Sequence, residues 1–368
     1  MKQIYFFIGT EAELIKVFPV IKACIKKGAC CHIIASGQND LKKSRILTEI
    51  DLNGKFLELS REEDITKSAA GLLKWFFKTK RGAVKKIREE FETADFKGAP
   101  FVVHGDTVST FMGAMIGKKL NATVCHVEAG LRSHHLLNPF PEEIDRLLTS
   151  RLARMHFSPG ALPTENLRRV KGKVVNTELN TILDSLNFSK TMPVLTEELS
   201  KLRGQNYFVF VMHRQENLMQ KEFVKQVVKQ VAQFAEERKC VLILHKITEN
   251  TLQEMGLLEE LQKNPNFVLL PRVDYFDFMK LLDGADYVIT DGGSNQEELC
   301  YMGKPCLIMR KTTERQEGIG ENAILYGGDL KMMSEFEKNF ETYKRPSLVG
   351  TCKPSEKIAE EMLKERLI

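Results

Sequence analysis

Short apolar runs that stop on polar residues recur along this chain and set what it can fold into. Ile4–Ile8, Phe101–Val103, Thr123–Val127, Tyr207–Met212, Tyr287–Thr290 and Cys306–Met309 have the length and composition of buried strands. Cys31–Ala35, Met155–Ser158, Val241–Leu244 and Phe267–Leu270 extend the series. Between them lie stretches with helical spacing. Glu11–Lys26 presents Leu14, Ile15, Phe18, Ile21 and Ile25 on one face, and Pro19 should kink or break it. Ala69–Ala94, Thr110–Lys119, Glu142–Arg154, Lys221–Arg238, Tyr275–Asp283 and Asn295–Met302 read as further helices. Strands alternating with helices predict parallel sheets covered by helices. The series breaks around Val170–Leu202, which is polar and poor in strand signals. The expected class is therefore α/β, with two Rossmann-like, doubly wound domains facing a central cleft. A last helix over Ser355–Leu367 could pack on either domain.

A chain of 368 residues suggests two such domains or one large one. The net charge of +5 is small for this length. It gives little support to a nucleic-acid partner and is met equally well by a basic site for a phosphorylated small molecule. No apolar run approaches the ~18–20 residues that cross a bilayer, so no membrane association is expected. The opening MKQIYFFIGTEAELIK runs from a short apolar segment straight into acidic, helical sequence, which reads as a first strand and not a signal peptide. The eight cysteines are scattered without a C-x-x-C pair, so no metal site is expected, and several sit in apolar runs as small core residues. A reducing, cytoplasmic setting fits them.

The segment 102–159 is the richest in chemistry. His104-Gly105-Asp106 and His126-Val127-Glu128 each end a predicted strand, and Glu142-Glu143 opens a helix after Pro141. Strand ends are where open parallel sheets bind ligands, and converging carboxylates suit proton transfer. In the second half, Thr290-Asp291-Gly292-Gly293-Ser294 is a strand end, a glycine turn and a helix start. Its free N–H groups suit a diphosphate, Ser294 and Glu297 have capping-box spacing, and Glu298 could accept ribose hydroxyls. The alternative is a plain capped helix. His213, in HRQEN, follows a strand and faces either a ligand or solvent. Spacing alone leaves Lys16 an ordinary exposed lysine and Phe278 a core residue. Neither a Walker loop nor G-x-G-x-x-G is present, so no bound cofactor is called for.

Taken together, GTEAELIKVFPVI, VVHGDTVST, CHVEAGLRS, NPFPEEIDRLLTSRLARMHFSP, HRQEN, TDGGSNQEE and GKPCLIMRKTTERQE resemble the motifs of the non-hydrolysing UDP-N-acetylglucosamine 2-epimerases, in that family's order, over roughly residues 8 to 325. The resemblance implies a GT-B fold, with an N-terminal domain of residues 1–178 plus 355–368 and a UDP-binding domain of residues 179–354. It implies interconversion of UDP-GlcNAc and UDP-ManNAc through a 2-acetamidoglucal intermediate, without a cofactor. By the same resemblance Asp106, Glu128 and Glu142 are the acid/base candidates. His213 and Lys16 join them, and Arg146, Phe278, Gly292, Gly293, Ser294, Glu298 and Arg315 hold the substrate. A UDP-sugar is the implied partner, and a homodimer in polysaccharide biosynthesis the implied setting.

Three positions depart from the family pattern. Glu11 stands where the family's G-T-R-P-E-x-I-K has arginine, which reverses charge at a position expected to meet the diphosphate. The D-S-G-G turn reads Asp291-Gly292-Gly293-Ser294. The Q-H-R segment linked in bacterial members to an activating second UDP-GlcNAc reads Gln38-Asn39-Asp40, so that regulation is expected to be altered or absent. Other outcomes therefore stay open: a related hydrolysing or other UDP-sugar 2-epimerase, a non-catalytic nucleotide-sugar-binding paralogue, or a glycosyltransferase of the same fold.

Overall fold

The computed structural model describes residues 2–65, 69–92, 94–135, 140–313 and 315–367. The chain divides into two compact units, Met1–Ser185 with Cys352–Ile368, and Leu186–Thr351. The division falls inside the helix Ile182–Ser189, within the stretch Val170–Leu202 where the strand series breaks.

The first unit holds seven strands: β1 (Gln3–Ile8), β2 (Cys30–Ala35), β3 (Phe56–Glu58), β4 (Pro100–His104), β5 (Thr123–Val127), β6 (Met155–Ser158) and β7 (Lys173–Asn176). All pair in parallel, in the order β3-β2-β1-β4-β5-β6-β7. The order reverses between β1 and β4. The second unit holds β8 (Tyr207–Val211), β9 (Lys239–Leu244), β10 (Phe267–Pro271), β11 (Val288–Thr290), β12 (Cys306–Ile308) and β13 (Ala323–Leu325). These are also parallel, in the order β10-β9-β8-β11-β12-β13, reversing between β8 and β11. In each sheet the point of reversal opens a crevice at the strands' carboxyl ends, where a ligand can enter.

Burial on both faces makes these strands read as continuous apolar runs. Tyr5, Phe7, Phe101 and Val103 are nearly inaccessible in the first unit, packed with Trp75, Ile87 and Phe91 from the long helix side. Phe208, Phe210, Leu242, Tyr287 and Ile289 play the same part in the second, under Val224, Val227 and Val231 of the helix Lys221–Phe234. A close-packed sheet fixes its strand ends, so side chains at those ends are held in place.

Pro19 does not break its helix, which runs unbroken over Glu11–Lys26. Proline lacks the N–H that would bond the carbonyl of Ile15, one turn earlier. Ser185 Oγ donates to that carbonyl instead, at 2.5 Å. The helix Pro354–Lys364 belongs to the first unit. It packs on Glu11–Lys26. Ser355 N–H donates to Asp184 at 2.7 Å, and Lys173 pairs with Glu361 and Glu365 at 2.8 Å each.

Candidate functional site

In the first unit, β1, β4 and β5 end beside one another and deliver a set of ionisable groups. Glu13 sits in the first turn of the helix after β1 and is buried. It accepts from Gly9 N at 2.6 Å and from Thr107 Oγ1 at 2.5 Å, which ties the end of β1 to the turn after β4. Burial raises its pKa against these bonds. One helical turn later, Lys16 is 7% exposed, contrary to the ordinary surface lysine that spacing suggests. The reason is its partner. Lys16 Nζ donates to Glu128 Oε1 at 2.9 Å and Oε2 at 2.8 Å, and His104 Nε2 lies 2.9 Å from Glu128 Oε2. Glu128 itself has φ of 61°, a left-handed conformation that is costly for a residue with a side chain. Such strain persists where the surroundings over-determine it, commonly at functional sites.

A second cluster adjoins the turn after β4. Asp106 Oδ2 accepts from Arg146 Nε at 2.8 Å and lies 2.5 Å from its Nη2. Arg146 Nη1 also donates to Glu143 at 3.3 Å. Glu143 is fully buried and takes Arg132 Nε at 2.5 Å and Ser133 N at 3.0 Å. Burial pushes its pKa up, but the Ser133 bond and the two guanidiniums outweigh burial, so the carboxyl stays below its ordinary value. Glu142, first residue of the helix Glu142–Leu152, is half-buried, with a buried Oε2 that no donor meets. Asp145, one turn on, is pushed up to about 7 by burial first and then by the charges of Glu142 and Asp106. His126 on β5 is buried, which lowers its pKa to about 3, so its Nε2 donates as a neutral ring to Gly105 O at 2.7 Å.

Glu11, at the start of the first helix, is half-buried, and its backbone N–H donates to Asn39 Oδ1 at 3.2 Å. Asn39 N in turn donates to Gly9 O at 2.9 Å. Gln38 Oε1 accepts from Ser109 Oγ at 2.6 Å, and Asp40 caps the short turn Leu41–Lys43. The Gln38-Asn39-Asp40 segment is thus bound into its own unit by local bonds.

In the second unit, the ends of β8 and β11 lie side by side at the point of reversal. Asp291 is fully buried and organises them. Its carboxylate accepts from His213 N at 3.0 and 3.1 Å, Arg214 N at 2.9 Å and Asn217 Nδ2 at 3.1 Å. His213 Nδ1 lies 3.2 Å from Asp291 Oδ1, and its ring stacks on His245 at 4.7 Å. Burial pushes His245 down to about 4, so it is neutral at physiological pH.

The glycine turn follows directly. The helix starts at Gly293, with Gly292 as its cap residue. The expected capping box between Ser294 and Glu297 is not formed. Ser294 is already inside the first turn and exposed, and Glu297 is buried, holding Arg315 Nη1 at 2.9 Å. Gly292 N–H is taken by Thr290 Oγ1 at 3.0 Å. A Cβ on Gly292 would come 2.5 Å from Asn295 Oδ1 and 3.1 Å from His213 Cε1, so a side chain there would displace both groups. A Cβ on Gly293 would stand 3.7 Å from Arg310 Nη1 and 3.8 Å from Arg315 Nε. Two guanidinium groups therefore border a helix N-terminus, which together form a site suited to anions. Glu298 is buried, with Oε2 accepting from Asn295 Nδ2 at 3.1 Å. Phe278, in the helix Tyr275–Gly284, is half-buried, whereas Phe276 is fully buried in the core.

The structure thus brings Lys16 and Glu128 together, joins Asp106 to Arg146, and sets Glu142 beside them. It also groups His213, Gly292, Gly293 and Arg315. Strand-end reasoning gave no role to Asp291 and Arg310, although Asp291 directly follows β11 and Arg310 lies two residues past β12, as Asp106 does past β4. Asp145 carried no sequence signal beyond its place in an acidic helix start.

The family model for UDP-N-acetylglucosamine 2-epimerase matches residues 80–357. A UDP-N-acetylglucosamine 2-epimerase of Methanocaldococcus jannaschii is 29% identical over 337 residues, covering 88% of each chain. A protein described as a probable UDP-N-acetylglucosamine 2-epimerase from Ralstonia solanacearum is 30% identical over 339 residues, 88% of this chain and 86% of that one. The solved structure of the M. jannaschii enzyme superposes with a TM-score of 0.78 at 27% identity, over 98% of this chain and 99% of that one. Its complex with UDP-GlcNAc and UDP superposes at 0.75 and 26% identity, with the same coverage. The expected GT-B class, two Rossmann-like doubly wound units, is what the two parallel sheets and these neighbours show. The chain belongs to the UDP-N-acetylglucosamine 2-epimerase family and is an enzyme of that family.

Proposed function

We propose that the protein interconverts UDP-GlcNAc and UDP-ManNAc by eliminating UDP and adding it back. The observation that carries this reading is the anion site at Gly292–Gly293, bordered by Arg310, Arg315 and His213. A relative of 26% identity has been solved holding UDP-GlcNAc and UDP. The C2 proton of the sugar is not acidic in the ground state, so departure of UDP from C1 has to drive its removal. Cations and a helix N-terminus at the diphosphate favour that departure. The C2–H electron pair then forms the C1=C2 bond as the C1–O bond breaks to UDP. This gives 2-acetamidoglucal, and the proton goes to a carboxylate.

Inversion requires a proton to return on the opposite face, so at least two groups must serve. Asp106, Glu128 and Glu142 are the proposed acid/base set. Lys16 and His104 hold Glu128 in place, and Arg146 holds Asp106. Phe278 and Glu298 are the proposed contacts for the uridine. Asn39, bonded to Gly9 and Glu11, and Asp40, capping Leu41–Lys43, are proposed not to serve an activating second substrate. A hyperbolic response to UDP-GlcNAc is the expected result, and a sigmoidal one counts against it.

The test is incubation with UDP-GlcNAc in D2O, followed by proton and phosphorus NMR. UDP-ManNAc with deuterium at C2 is expected. Glu11 favours one second reading, in which UDP is not returned, because it places a carboxylate where the family has a cation. Free UDP with free ManNAc in the same tube would select that reading. No reaction would overturn both.

A further inference from the structure

The helix Glu142–Leu152 carries a buried acid for which the mechanism above gives no use. Asp145 is 6% exposed, and its Oδ2 is buried with no hydrogen-bond partner. Glu142 lies one turn before it on the same helix face. The cation nearest in sequence is committed elsewhere, since Arg146 gives Nε and Nη2 to Asp106 and Nη1 to Glu143. Among the described residues, the two elements packed most closely on this helix offer no compensating charge. The helix Val108–Lys119 has no titratable residue before Lys118 and Lys119 at its C-terminal end, and His126 on β5 is neutral. Glu143 is satisfied by Arg132, Ser133 and Arg146. Thr149, one turn further along, has a buried hydroxyl that likewise lacks a partner. A buried carboxyl in the field of Glu142 and Asp106, with no donor among the described residues, keeps its proton.

We propose that Asp145 is the proton-holding member of an Asp106–Glu142–Asp145 cluster, and that by staying neutral it spares the site an added negative charge beside an anionic substrate. The proposal rests on the epimerase reading above. Asp145 acts by its charge, as a positioning residue. Once it ionises, the cluster gains a negative charge that opposes the substrate. The raised pKa of about 7 gives the window. Asp145 is neutral below it and charged above it.

The experiment compares kcat/KM for UDP-GlcNAc against pH in the wild type and in Asp145→Asn, which is neutral at every pH and nearly isosteric. The wild type is expected to lose about tenfold as pH rises through about 7, the effect of one added negative charge repelling an anionic substrate. In D145N this alkaline limb should be missing. Coincident profiles in two epimerising proteins would overturn the proposal and leave the epimerase reading intact. Carboxyl-carbon NMR of the wild type decides the case in which D145N does not fold or no epimerisation occurs. The Asp145 resonance should titrate near neutrality and move down in Glu142→Gln. A titration in the ordinary aspartate range would overturn the proposal.

Discussion

Lys16 and Glu128 form a buried ion pair that matters because neither charge has water to fall back on. Removing Lys16 takes from Glu128 the ammonium that both its oxygens meet, which costs up to about 3–5 kcal/mol. Lys16→Met should destabilise the first unit by that order in urea denaturation, and the double variant Lys16→Met/Glu128→Gln should recover much of the loss. Equal destabilisation of both variants would mean that packing of the lysine stem, and not its charge, is what counts. At Gly292 the constraint is space. Gly292→Ala pushes a methyl into Asn295 and His213, so UDP affinity is expected to fall by at least tenfold with little change in the melting temperature of the unliganded protein. Isothermal titration with UDP measures it, and unchanged affinity would remove this turn from the binding site. At this scale the sequence showed residue types and strand ends, which located Asp106, Glu128 and His213. It was silent on Asp145, because partners and burial are three-dimensional facts. Spacing alone left Lys16 an exposed lysine, and only the family resemblance named it as a site residue, because helical spacing cannot reveal that a carboxylate 112 residues away lies across from it.

At the scale of elements, the Pro19–Ile15–Ser185 contact joins two helices far apart in the chain. Ser185→Ala should leave the Ile15 carbonyl without its donor, at about 1–3 kcal/mol. Pro19→Ala restores a main-chain N–H at that position, so the serine substitution should cost measurably less in that background. Additive effects of the two would show that Ser185 contributes by other contacts. The alternation of apolar runs and helical stretches was enough to place ten of the thirteen strands within a residue or two. The three it passed over, β3, β7 and β13, are each at the edge of a sheet and only three or four residues long. An edge strand is bonded on one side and half-covered, so it needs few apolar residues and leaves little periodicity to read. Lys173 of β7 even faces outward, to pair with Glu361 and Glu365.

At the scale of the whole molecule, the first unit is made from two separate stretches of chain and the second from one. Ile358, Ala359 and Met362 of the returning helix are fully buried in the first unit. Burial of Ile358 and Met362 alone amounts to roughly 3–6 kcal/mol, at about 1.5–3 kcal/mol per large apolar side chain, with bonds to Asp184 and Lys173 in addition. Truncation after Thr351 should therefore unfold the first unit at lower temperature. Amide exchange should show the loss of protection first in the helix Glu11–Lys26, and an unchanged exchange pattern there would contradict the packing described. The same arrangement has a consequence for biosynthesis. Multidomain chains generally fold from the N-terminus as they leave the ribosome. Here residues 352–368 emerge after every residue of the second unit. The first unit must wait, its sheet made but one covering helix still missing, while the second is translated and folds, so the unit that is begun earlier is finished later.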